Sequence, residues 1–245
     1  MSADHASGAL ASIRPEIVVA VIPTLNEQDS IEQVVRSIPR DVVDRIIVAD
    51  SDSSDATRQR ATQAGADVID TGTGYGRACL TAAEAANNAD ILVFMDGDGA
   101  DDARSIHALV EPIRSGLYDF VIGSRARGKR EPGSMARHQI AAGLVAGIGM
   151  RLLYGVRFTD MCAFRAIRRD ALLRLGMREL TYGWNIEMQM RAARSGLRIL
   201  EIPVSYHCRT GGISKVAGSL RGSIRAGARI MATFARVSMQ SRREG

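Results

Sequence analysis

The chain has 245 residues, 46% apolar and 24% charged, with a formal net charge of +5, which is ordinary for a globular protein of one large domain or two small ones. Aromatic residues make up only 4%, which argues against a stacking surface for single-stranded nucleic acid. The longest apolar stretch runs only from Ile140 to Met150, well short of the roughly 20 residues that span a bilayer.

Residues 1–14 are small and polar, lack the apolar centre of a signal peptide, and read as a tail. Strand and helix then alternate. Ile17 to Ile22 is a β-branched run ended by Pro23, and Ser30 to Ile38 has helical spacing through Ile31, Val34, Val35 and Ile38. Arg45 to Ala49 is the second strand; Asp55 can cap a helix that runs to Ala64 and stops at Gly65. Ala66 to Ile69 is a strand, Arg77 to Asn87 an Ala-rich helix, Ala89 to Met95 a strand, Asp102 to Ser115 a helix and Tyr118 to Ile122 a strand. This alternation predicts an α/β fold, a mostly parallel sheet covered by helices on both faces.

Beyond Gly123 the rhythm changes. Ser134 to Tyr154 reads as a glycine-weakened helix, Ala163 to Ile167 as a strand, Asp170 to Leu175 and Asn185 to Ser195 as helices, and Arg198 to Ile202 as a last strand. Residues 15–215 therefore read as one domain, with 15–125 the ligand-binding half and 126–215 a second half. Residues 216–237 separate into a basic stripe of Arg221, Arg225, Arg229 and Arg236, and an apolar face of Leu220, Ile224, Ile230, Met231, Phe234 and Val237. Such a C-terminal amphipathic helix suits either an anionic membrane surface or packing on its own domain; residues 238–245 read as a tail. Cys79, Cys162 and Cys208 lie in no metal-ligand spacing, as expected of reduced thiols in the cytoplasm.

In parallel sheets, ligands bind beyond the carboxyl ends of the strands. Three of those ends carry polar clusters: Pro23-Thr24-Leu25-Asn26-Glu27, Asp50-Ser51-Asp52 and Asp96-Gly97-Asp98. Two carboxylates one residue apart after a buried strand repel and lose solvation unless a cation joins them. Magnesium or manganese, hard cations that share carboxylate and phosphate oxygens, meets that need. An acidic surface turn is the alternative. The assignment requires both side chains to face one cleft, with no basic residue filling the gap between them.

These pieces resemble family 2 glycosyltransferases of the GT-A fold, nearest to the dolichol-phosphate mannosyltransferase and polyprenyl-phosphate glycosyltransferase group. The likeness spans residues 17–216 and rests on Ile22-Pro23-Thr24-Leu25-Asn26-Glu27, the stretch from Ile46 to Thr57, Gly74-Tyr75-Gly76-Arg77-Ala78, the Asp96/Asp98 pair, Gly123-Ser124-Arg125 and the stretch from Arg209 to Lys215. It implies that Pro23, Asn26, Glu27, Asp50, Gly76, Arg77, Asp96 and Asp98 bind a nucleotide-sugar. It further implies that Asp96 and Asp98 hold Mg²⁺ or Mn²⁺, and that Asp98, Arg125, Arg209 and Glu187 serve catalysis. Arg125, Arg137, Ser214 and Lys215 match positions that handle an acceptor phosphate. Ser51 and Ala100 depart from the group's pattern, where Asp and Gln are usual. Asp160 is expected to pair with Arg165 or Arg191, and Glu187 either to pair or to act as a base.

The activity so implied is inverting transfer of a hexose, glucose or mannose, from a UDP- or GDP-linked donor to polyprenyl phosphate. The location would be cytoplasmic or peripheral at the inner membrane face. A soluble acceptor such as a phosphoglycerate-like acid or a sugar hydroxyl, or a non-catalytic nucleotide-sugar-binding module, are the alternatives.

Overall fold

β-branched residues build the middle of the molecule. Val18–Thr24 (β1) is buried along its whole length, as are Ile91–Phe94 (β4), Phe120–Ser124 (β5) and nearly all of Arg45–Asp50 (β2). Strands apolar on both faces need cover on both faces. The computed structural model describes residues 14–211 and 220–241, leaving aside the side chains of residues 137, 138, 220–226, 240 and 241. With Asp67–Asp70 (β3), Arg165–Arg168 (β6) and Ile199–Pro203 (β7), the strands form a seven-stranded sheet in the order β3-β2-β1-β4-β6-β5-β7. Only β6 runs antiparallel, against both β4 and β5. The expected mostly parallel α/β architecture is what the chain adopts.

The helices are Ile31–Ser37 (α1), Thr57–Gln63 (α2), Tyr75–Ala85 (α3), Ile106–Arg114 (α4), Arg137–Tyr154 (α5), Arg169–Leu175 (α6), Trp184–Arg194 (α7) and Leu220–Ser241 (α8). The central strands and α1, α3, α4, α6 and α7 contribute to one continuous core. Asp55, one residue before the N-cap Ala56, accepts the N–H of Thr57, the first residue of α2, at 3.0 Å. Asp102, expected to open a helix, instead accepts the Arg104 N–H at the head of a short 3-10 turn, Ala103–Ser105, that leads into α4.

The order of strands creates the site. From β1 the chain adds β2 and β3 on one side, then returns to place β4 on the other. The loops after β1, β2 and β4 therefore meet where the direction of winding reverses. Pro23 has its place here too. β4 pairs with β1 only as far as Val21 opposite Phe94, so the missing N–H of Pro23 falls where that neighbour has already left, and no ladder bond is lost.

Two arginines of the last helix's basic stripe reach a buried acid. Glu179, nearly fully buried, accepts from Arg229 Nε at 3.1 Å, Arg236 at 3.2 Å and the Thr233 hydroxyl at 3.0 Å. Burial pushes the Glu179 carboxyl up, but the hydrogen bonds from Thr181 and Arg229 outweigh it and hold the group below its ordinary range. Arg229 and Arg236 thus serve packing on the domain. The side chains of Arg221 and Arg225 lie outside the described set. Replacing Glu179 with Ala is expected to lower stability by about 1–3 kcal/mol and to speed tryptic cleavage at Arg229 and Arg236. Unchanged denaturation midpoints and digestion rates would contradict this placement.

Candidate active site

The turn after β4 folds back on itself. Met95 still donates to the Val21 carbonyl at 3.2 Å; the chain then bends through Asp96-Gly97-Asp98-Gly99. The Ala100 N–H is bound by Asp98 Oδ1 at 3.0 Å and the Asp96 N–H by Asp101 Oδ2 at 3.1 Å. Gly99 has φ +79°, a left-handed conformation that suits glycine. At Gly97 a Cβ would come within 2.8 Å of Thr24 Cγ2, so the turn and the end of β1 need glycine to approach. Segment 207–210 lies along the turn, with His207 N–H donating to the Ala100 carbonyl at 2.8 Å and Thr210 N–H to the Asp98 carbonyl at 3.1 Å.

Those two bonds put Arg209 at the acids. Its guanidinium reaches Glu27 at 2.9 and 3.2 Å and Asp98 Oδ2 at 3.3 Å. Among the described residues no ion pair joins it to Asp96, so its direct contact is with the Asp98 side of the acidic pair. Its Nε is buried and has no hydrogen-bond partner among the described residues. Asp96 Oδ1 accepts from the Tyr75 hydroxyl at 3.1 Å. Burial first, and the neighbouring Asp98 second, push the Asp96 carboxyl up to about 6. Asp101 is driven well above the usual carboxylate range, by burial and then by Asp96 and Asp98. Burial and the Asp96 charge also raise the Tyr75 phenol, which keeps its proton to donate.

Three acids share one desolvated turn, and among the described residues one arginine, Arg209, makes an ion pair with them. Among the described residues no three His, Cys, Asp or Glu side chains converge into a closed cation cage. Asp96 and Asp98 offer an open set of two carboxylates, which fits Mg²⁺ or Mn²⁺ completing its shell with phosphate oxygens and water. The orphaned Arg209 Nε is a donor suited to an oxygen of the same diphosphate.

Several expected ligands are otherwise engaged. Asp50 is fully buried and binds Arg58 Nε at 2.6 Å, the Ser53 N–H at 3.0 Å and the Thr24 hydroxyl at 3.4 Å, so it braces its loop and presents no free carboxylate to a base. Asn26, with φ +52°, ties the first loop to the second: its N–H donates to Ser53 and its side-chain oxygen accepts from the Ser54 N–H, each at 2.9 Å. Gly76 allows α3 to abut residues 179–180, since a Cβ there would overlap the Glu179 carbonyl oxygen. Arg77 is exposed and its N–H is bound by the Leu180 carbonyl at 3.0 Å.

On the acceptor side, Arg125 makes two side-chain bonds to Asp160, each 2.8 Å, and stacks over Tyr206 with 5.0 Å to the ring centre. Its fork is therefore occupied by a carboxylate, which corrects its assignment as a free phosphate clamp and gives Asp160 a partner other than Arg165 or Arg191. Arg165 is fully buried among backbone carbonyls of Cys162, Ala163 and Asn185. Glu187 is also fully buried; it accepts from Arg191 at 2.9 Å and from the N–H groups of residues 178 and 179 at 2.9 and 2.6 Å. Held in that way, it offers no oxygen to an acceptor hydroxyl, which corrects its assignment as a base. Arg137 begins α5, with its side chain outside the described set, and Ser214 and Lys215 lie outside the described residues.

The sequence profile of glycosyl transferase family 2 matches residues 19–176. The chain belongs to this family. An uncharacterised glycosyltransferase of Mycobacterium tuberculosis is 37% identical over 221 residues, 85% of this chain and 94% of that one. The undecaprenyl-phosphate mannosyltransferase of Micrococcus luteus is 32% identical over 84% of this chain and 89% of its own. Glucosyl-3-phosphoglycerate synthase from M. tuberculosis, crystallised with phosphoglyceric acid, superposes with a TM-score of 0.73 at 26% identity, covering 91% of this chain and 80% of its own. The same enzyme has been crystallised with Mn²⁺, UDP and glucosyl-3-phosphoglycerate.

Within this glycosyltransferase, sequence reasoning missed Tyr75, Asp101 and Tyr206. Asp101 stood in plain view in the run of acids after β4; its role in bracing Asp96 depends on a fold-back that spacing does not show. Tyr206 bridges by backbone to Asp101 and Arg130, a tertiary contact without a local signal. The Asp96 shift also sets a pH dependence. Its raised value costs stability as pH climbs above the unfolded-state value of about 3.9, in full above about 6. A cation relieves that cost, so Mn²⁺ is expected to raise the melting temperature near neutral pH, with the rise shrinking as pH falls through about 6. A pH-independent rise would contradict the site.

Proposed function

We propose that the chain transfers a hexose, with inversion, from a UDP- or GDP-linked donor to a polyprenyl phosphate, using Mg²⁺ or Mn²⁺ at Asp96 and Asp98. The observation that carries this reading is the desolvated acid pair at the reversal of strand order, flanked by Arg209 with its unpartnered Nε. A divalent ion bound there would neutralise charge on the donor diphosphate and on the departing nucleoside diphosphate.

The protein's own residues have a limited task. Tyr75 donates to the Asp96 carboxylate, Asp101 accepts the Asp96 backbone N–H, and the Ala100 N–H fixes Asp98. Arg209 holds a diphosphate oxygen and stabilises the negative charge that grows as the bond between the anomeric carbon and the diphosphate oxygen breaks. An acceptor phosphate monoester is largely ionised near neutral pH; its oxygen forms the new bond to the anomeric carbon and needs no base. The burial of Glu187 is consistent with a reaction of this kind. Arg137, Ser214 and Lys215 are proposed to hold the acceptor phosphate.

The M. luteus relative supports the lipid acceptor. The second reading, a soluble phosphoglycerate-like acceptor, draws support from the superposition with glucosyl-3-phosphoglycerate synthase. No described helix is long and apolar enough to cross a membrane, which suits either. Release of nucleoside diphosphate from UDP-glucose and GDP-mannose, with polyprenyl phosphate or 3-phosphoglycerate added, decides between them. The lipid is expected to stimulate release; stimulation by phosphoglycerate alone would replace it with the second reading. Asp98→Asn, which keeps shape and removes charge, is expected to cut transfer roughly 100-fold or more. Turnover near the wild-type rate would sink the metal assignment.

A further inference from the structure

Helix α5 is apolar on two opposite faces. Gly143, Ala146, Gly147 and Met150 turn inward, with Met150 fully buried and the backbone at Gly147 pressed on the Phe158 carbonyl. At 100° per residue, Leu144, Val145, Ile148 and Leu152 fall on the opposite side. They are 50%, 62%, 61% and 82% exposed. Ala141 continues the stripe. A surface helix ordinarily carries polar residues there, and a contiguous apolar face of this kind marks an interaction surface.

Helix α8 extends the same character. The ring of Phe234 lies against Gly149 of α5. Arg229 and Arg236 reach Glu179, and Ala228, Met231, Ala232, Ala235 and Met239 of α8 are exposed. Charge identifies the partner. Residues 132–159 contain Arg137, His138, Arg151 and Arg157 and no acid, and residues 202–243 contain no acid at all. Arg151 sits beside the apolar stripe and is exposed, as is Arg157. A second copy of the chain docked face to face would set these cations against each other with no carboxylate on either helix to meet them.

We infer that the outer face of α5, extended by α8, docks on an anionic lipid bilayer, with Leu144, Val145, Ile148 and Leu152 entering the headgroup boundary and Arg151 and Arg157 meeting lipid phosphates. The loop leading into α5 pairs at Arg130 with Tyr206, which pairs with Asp101, so that loop runs beside the acidic turn. The choice of a bilayer rests in part on the lipid-acceptor reading above, and the experiment separates the two.

The full chain is floated with vesicles of phosphatidylcholine alone or mixed with phosphatidylglycerol, both free of polyprenyl phosphate. Wild type is expected to bind the mixed vesicles. Ile148→Glu and, independently, Leu152→Glu are each expected to weaken binding roughly tenfold or more. Leu117→Glu, at an exposed position before β5, is expected to have no effect, and all three variants should melt as the wild type does. Failure of the wild type to float, equal flotation of both α5 variants, or a lipid-free dimer that Ile148→Glu dissociates would each overturn the proposal. Transfer to detergent-dissolved polyprenyl phosphate is measured alongside. Transfer without flotation sinks the docking and leaves the acceptor reading standing; flotation without transfer does the reverse.

Discussion

Buried negative charge needs an answer, and in this chain the need is concentrated in one turn. Asp96, Asp98 and Asp101 stand within a few residues of each other at the end of a fully apolar strand, and burial makes their charges costly. Protein groups meet part of the cost: the Tyr75 hydroxyl, the Ala100 N–H and one contact from Arg209. What is left over is the charge that the proposed function assigns to a cation and the diphosphate it carries. Glycines at 97 and 99, the early end of β4 and the course of segment 207–210 are all understandable as means of holding that turn in place.

Much of this was legible in the sequence, because it depended on local signals. Strand runs, helix spacing and stops such as Gly65 located the elements to within a few residues, and strand ends pointed to the candidate site. The partnerships were not legible. Asp50 looked like a ligand, yet Arg58, eight positions on along the next helix, closes over it. Glu187 read as either a base or a paired acid; it pairs with Arg191, and only the fold brings the N–H groups of residues 178 and 179 onto its carboxylate. Arg125 and Asp160 are 35 residues apart and meet where β5 ends. A motif names the residue types that a site needs; which of them keep a free oxygen or nitrogen is decided by tertiary contacts.

The same lesson applies to the last helix. Its arginines formed a stripe in the sequence, and a stripe of cations invites an anionic surface. Glu179 claims two of them, and alanines and methionines of the same helix are exposed. The apolar surface then runs from α8 to α5, and the distinction between a soluble and a lipid-linked acceptor becomes a question about what covers it.

The central claim is that Asp96 and Asp98 seat a divalent ion that takes up charge from a nucleoside diphosphate. Anomalous scattering from crystals soaked in Mn²⁺ with UDP or GDP tests it most directly. A single strong peak shared by the Asp98 and Asp96 carboxylates and the diphosphate, with the Arg209 guanidinium withdrawn from Asp98 and its Nε on a phosphate oxygen, is the expected result. Nucleotide bound with no manganese at that turn, or Arg209 still closed on Asp98 beneath it, would contradict the account.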